Sequence, residues 1–145
     1  MTQDEIRTFL ERFRVTWESH DVAALAACYA EDCVVISPIF HTLNGRNQVQ
    51  KSFTDLFKAF SNQAIKVEDI IISNEEPARA VVVWNLQSIH AGEVFGIPPS
   101  GKRIDRTIVF VLTFKNGLIA KDKRVYDFTS MLIQLGALRA KPGRG

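Results

Sequence analysis

His90 and Asp127 are the two side chains whose types and placement could carry chemistry. The imidazole leaves an apolar run at the entrance to the loop 91–102, and the carboxylate ends the last apolar run downstream. Sheltered from bulk water in one cavity, such a pair can move a proton at a carbon next to a carbonyl. Strand alternation puts Trp84, Leu86, Ser88 and His90 on one face, an apolar row ending in two polar groups, as in a pocket wall. Lys123, Val125 and Asp127 also share a face, so Asp127 points inward only if Lys123 does. An ammonium there would oppose the rise in pKa that desolvation imposes on a carboxylate. Simpler uses exist for both groups. A strand-end histidine can bond a nearby carbonyl, and Asp127 fits the N-cap of a helix beginning near Thr129.

Positioning these groups requires a particular set of elements. Ile6, Phe9, Leu10, Phe13 and Trp17 recur at helical spacing behind the capping-box sequence Thr2-Gln3-Asp4-Glu5, which predicts a helix over 4–19. Asp21 caps a second, shorter helix carrying Val22, Leu25, Ala26 and Tyr29, ending near Glu31. Residues 33–36 form a short β-branched run stopped by Ser37-Pro38, and Asn44-Gly45 marks a turn. From Asn47, the set Val49, Phe53, Leu56, Phe57 and Phe60 gives a third helix. Strands follow at 65–73, 79–90, 102–115 and 118–127, with Asn116-Gly117 as a hairpin turn. A short last helix holds Met131, Leu132 and Leu135 and ends at Gly136. Helices first and long strands afterwards mean α+β, with helices packed on one face of an antiparallel sheet. Phe110 on the hairpin, with Phe13, Trp17, Phe40, Phe53 and Phe57, would line a cavity suited to a flat lipophile, although periodicity alone also explains the aromatics as core.

Composition narrows the class. The chain has 145 residues, 46% of them hydrophobic, enough for one domain over 1–138 and too few for two. The basic stretch 139–145 lacks apolar periodicity and reads as a flexible tail. A net charge of +2 from interspersed acids and bases offers no field for nucleic acid or a membrane surface. Cys28 and Cys33, without neighbouring Cys or His, fit neither a zinc site nor a disulfide framework, so no metal is expected and the cytoplasm is the simplest compartment. No leader pattern or span-length apolar run is present, which predicts a soluble, unprocessed protein.

These residues also carry a resemblance. His20-Asp21, Gly45-Arg46, His90-Ala91-Gly92-Glu93, the loop Gly96-Ile97-Pro98-Pro99-Ser100-Gly101-Lys102, and Tyr126-Asp127 followed by Gln134-Leu135-Gly136 resemble the SnoaL-like polyketide cyclases, members of the nuclear transport factor 2-like superfamily. The resemblance spans nearly the whole chain. It implies a cone-shaped α+β fold in which N-terminal helices pack on a curved, mostly antiparallel sheet. It also implies a deep apolar pocket, a homodimer through the sheet's outer face, and aldol ring closure of a small lipophilic ketone without metal or organic cofactor. The family's acid/base aspartate falls on Asp127 and its motif histidine on His90; Lys121 and Lys123 stand where the family usually has glutamate and tryptophan. Ketosteroid isomerase chemistry is not expected, because Phe13 and Ser37 occupy the positions of that family's tyrosine and aspartate. The functional expectation is a cofactor-independent acid/base enzyme, with a non-catalytic lipophile-binding protein as the alternative.

Overall fold

A computed structural model of the chain describes residues 1–39 and 41–139. The first helix, α1 (Gln3–Glu18), starts where expected, with Thr2 Oγ1 accepting from the Glu5 amide at 3.1 Å. Its apolar stripe of Ile6, Phe9, Leu10, Phe13 and Trp17 is buried. The second helix, α2 (Val22–Ala26), is shorter than its pattern suggested. Tyr29 lies instead at the head of β1 (Tyr29–Ile36), because Asp21 caps only a little over one turn before the chain becomes extended. A two-residue strand, β2 (Leu43–Asn44), folds back on β1.

The third helix, α3 (Arg46–Ala59), gives way directly to β3 (Phe60–Ser73), so Phe60 begins a strand rather than closing the helix. Then come β4 (Arg79–His90), β5 (Arg103–Lys115), β6 (Leu118–Val125) and α4 (Phe128–Leu135). The β5–β6 hairpin turns at Asn116-Gly117, both residues having positive φ (52° and 76°), as the dipeptide predicts.

The six strands form one sheet in the order β2-β1-β6-β5-β4-β3. All neighbours are antiparallel except β1 and β6, which run parallel. Irregularities in the β3–β4 ladder, one beside the positive-φ residue Asn62, bend the long outer strands. The expected α+β architecture is therefore present, with helices on one face of a mostly antiparallel sheet. On β4 burial alternates without a break, and Ala80, Val82, Trp84, Leu86, Ser88 and His90 turn toward the helices. Among the described residues, no helix is long and apolar enough to cross a membrane.

Candidate functional site

β4 carries His90 to the inner face, where it is fully buried. Its Nδ1 lies 2.8 Å from Ser100 Oγ and accepts from the Ser100 amide at 3.3 Å. The Lys102 amide donates to the same Oγ, leaving the serine hydroxyl proton free to point at Nδ1. With Nδ1 accepting, the neutral ring carries its proton on Nε2. Nε2 is enclosed and has no hydrogen-bond partner. His90 therefore presents a buried N–H donor with no partner among the described residues, a costly arrangement for a purely structural side chain.

The loop behind the histidine is tied down at both ends. The His90 amide donates to Lys102 O at 2.8 Å and the Gly101 amide to His90 O at 2.9 Å. The Ala91 and Gly92 amides both donate to Ala59 O, at 2.9 and 3.0 Å, on the last turn of α3. Gly92 passes so close to the Lys58 carbonyl that any β-carbon would overlap it, so glycine is required there.

Phe60, whose ring centroid lies 5.9 Å from that of His90, also lines a mostly apolar cleft of about 210 Å³. Ile39, Leu56, Ala59, Val94 and Phe95 form the rest of its apolar wall. Phe95 meets Phe128 of α4 edge-on at 5.4 Å, which joins the β4–β5 loop to the last helix beside the cleft.

Deeper on the inner face is a polar network that sequence reasoning missed. Tyr29 Oη donates to Asp122 Oδ2 at 2.7 Å, and Arg124 donates through Nε to Asp122 Oδ2 and through Nη2 to Tyr29 Oη, both at 3.1 Å. Burial, followed by the negative charge of Asp122, pushes the Tyr29 hydroxyl well above its ordinary range, so it stays protonated and donates. Burial works against the Arg124 charge, but Asp122 and Tyr29 outweigh it and hold the guanidinium above its usual range. That guanidinium sits over Trp17, Phe53 and Phe110, at 5.4, 5.3 and 5.8 Å from the ring centroids. Nearer the end of β6, Arg106 stacks over Tyr126 at 4.9 Å and donates to Met131 Sδ at 3.1 Å. The i, i+2 pair Asp122 and Arg124 was the available signal. Asp127 hides that signal, because it lies past the end of β6 on the cap of α4 and its alternation with Lys123 and Val125 does not report the facing of the strand.

The expected convergence of Asp127 with His90 in one hollow is corrected. β6 ends at Val125, and its buried members are Ile119, Asp122 and Arg124; Lys123 and Val125 are exposed on the outer face. Lys123 is therefore not part of the lining. Asp127 lies beyond the strand, exposed, with Oδ1 accepting from the Ser130 amide at 2.9 Å as the N-cap of α4. Phe13, Trp17, Phe53, Trp84 and Phe110 are drawn together, but onto one another: Trp17 meets Phe53, Trp84 and Phe110 edge-on at 5.0, 5.5 and 5.6 Å. They are core, and the cleft is walled by other residues. Phe57 stacks on His20 at 4.2 Å. Leu86 and Ser88 are buried beside His90 on the inner row. Phe40 lies outside the described residues, as does the tail from Ala140 onward. Among the described residues, no cluster of three or more His, Cys, Asp or Glu could hold a metal ion.

The family model for SnoaL-like polyketide cyclases matches residues 7–135. No curated protein sequence matches the chain. Among solved structures, AclR of Streptomyces galilaeus, a candidate hydroxylase, is 21% identical, with TM-score 0.83 over 97% of this chain and 91% of its own. A candidate SnoaL-like polyketide cyclase from Jannaschia sp. CCS1 is 20% identical, with TM-score 0.80 over 93% of each chain. A hypothetical protein of ketosteroid isomerase-like fold from Catenulispora acidiphila is 16% identical, with TM-score 0.72 over 88% of this chain and 92% of its own. These likenesses establish a shared cone-type α+β fold.

Proposed function

From the premise that this chain belongs to the SnoaL-like polyketide cyclase family, we propose that it is a cofactor-independent acid/base enzyme acting on a small lipophilic ketone, by ring closure or a related isomerisation. The observation carrying this reading is the enclosed, unpartnered Nε2–H of His90. A buried donor with no protein acceptor among the described residues is suited to a carbonyl oxygen that becomes an enolate, since such a bond strengthens as charge develops. The cleft supplies the apolar approach, and Phe60, which lines it, has its ring centroid 5.9 Å from that of His90.

In this reading the family's aspartate, Asp127, moves the proton from its exposed position at the cap of α4, outside the residues that line the cleft. Its chain neighbour connects it to that lining. Phe128, next in the chain, touches Phe95, which lines the cleft. With Oδ1 engaged in the cap, Oδ2 is the basic atom. Two copies pair through the outer face of the sheet, where Ile71 and Val125 are 61% and 51% exposed. Light scattering tests that point separately.

The decisive experiment follows exchange of the α-protons of α-tetralone in deuterated buffer by NMR. The native protein accelerates exchange, and His90→Ala removes the acceleration while leaving the fold intact by circular dichroism. The exposure of Asp127 favours a second reading, a non-catalytic lipophile-binding protein. Tight α-tetralone binding with no acceleration would establish that alternative.

A further inference from the structure

The inner face of the sheet holds two guanidiniums and a single carboxylate among the described residues of β5 and β6. Arg124 is paired with that carboxylate, Asp122. Arg106 is not. Its partners among the described residues are the face of Tyr126, at 4.9 Å, and the thioether of Met131, a weak acceptor, at 3.1 Å. No carboxylate lies within ion-pair distance of it among the described residues. Burial, the largest influence, pulls its affinity for the proton down to about 10, and the neighbouring Arg124 charge acts in the same direction.

Arg106 is partly buried, and a guanidinium held partly out of water without a counter-ion lowers stability, while its planar fork of N–H donors matches a carboxylate in two-point geometry. The position of Arg106 in the sheet gives that match a context. It stands opposite Leu86 on β4, and Ser88 and His90 continue the same inner row. Arg106 and His90 are thus four residues apart in register, about 13 Å along the strands at the usual rise per residue. Their side chains could engage the two ends of one elongated molecule.

We propose that Arg106 seats a carboxylate carried by the ligand, so that the site takes lipophilic keto acids in preference to neutral ketones. The inference rests on the ketone reading above and specifies its substrate class: the keto group at His90 and the acid at Arg106. No bond is made or broken at the arginine, which acts in binding alone.

The test compares ω-benzoylpentanoate with its methyl ester, two probes differing only in the charge at one end, by calorimetric titration of the native chain. The acid binds about tenfold or more tighter, the size expected for a charge-assisted pair. Arg106→Met brings the two affinities together by weakening the acid alone, and Arg106→Lys keeps part of the preference. His90→Ala weakens acid and ester alike. The melting temperature of Arg106→Met equals or exceeds that of the native chain, because a partly buried charge without a counter-ion has been removed. Equal binding of acid and ester by the native chain would overturn this inference while leaving the ketone reading in place. An unchanged acid preference in Arg106→Met, with a lowered melting temperature, would overturn it and make the arginine structural. Absence of binding by either probe at millimolar concentration would overturn both.

Discussion

The side-chain amide of Gln134 forms two hydrogen bonds with the backbone of Asp105. The Asp105 amide donates to Gln134 Oε1 at 2.7 Å, and Gln134 Nε2 donates to Asp105 O at 2.7 Å. The cause is a mismatch in strand length. β6 stops at Val125, opposite Val109, so the earlier residues of β5 have no sheet neighbour on that side. Their backbone groups need partners, and an amide is the one side chain that imitates a peptide bond. Gln134 thus docks α4, and with it Met131, against Arg106.

Gln134→Ala is expected to lower stability by about 1 kcal/mol, the net worth of such bonds at a partly exposed site. Limited proteolysis should then cut first within α4. Unchanged melting and an unchanged cleavage pattern would show that the clasp contributes nothing.

Asp127 has a capping role that can be separated from its chemical one. Asn caps as well as Asp, whereas Ala costs about 1 kcal/mol. Asp127→Asn should therefore melt like the native chain and lose α-proton exchange, while Asp127→Ala loses both. An Asp127→Asn protein exchanging at the native rate would confine this residue to the helix terminus.

Removing the Tyr29 hydroxyl leaves Asp122 with Arg124 as its only partner, in a site where Asp122 Oδ1 already lacks one. Tyr29→Phe should cost about 1–3 kcal/mol in chemical denaturation, the penalty for an under-satisfied buried group. A denaturation midpoint matching that of the native chain would contradict the network.

His20 stacks on Phe57 at 4.2 Å with its Nε2 unpartnered, and burial lowers its pKa below the ordinary 6.5. The unfolded chain therefore binds this proton more readily than the folded one. Its contribution to stability is complete above pH 6.5 and diminishes as the pH falls from there toward the folded value. Melting temperatures between pH 7.5 and pH 5.5, about one unit either side of the ordinary value, should fall in the native chain. His20→Asn, which tolerates the positive φ of 57°, should flatten that slope. Parallel slopes in the two proteins would assign the acid sensitivity elsewhere.

Strong periodicity made much of the fold readable. α1 announces itself through five apolar residues and α3 through four, and the Asn116-Gly117 turn is defined by its own backbone preference. The candidate site was readable in part: His90 falls on the expected face because the alternation on β4 is unbroken from Ala80. β6 misled for a physical reason. It is only eight residues long and ends before Asp127, so the period-two pattern runs on in sequence past the point where the strand stops and the helix cap begins. The Tyr29–Asp122–Arg124 cluster depends on two strands 93 residues apart in sequence lying side by side, which no local pattern encodes.

The parallel pairing of β1 with β6 also bears on how the chain is made. During synthesis from the N-terminus, the segment around Tyr29 leaves the ribosome early, yet the ladder it joins is completed only with residues 119–123. Until then its flank is an unpaired edge beside apolar side chains, the kind of surface that chaperones cover. Closing so long a loop also makes assembly slow. The vulnerable period for this protein is therefore its birth, before the last strand arrives to seal the sheet.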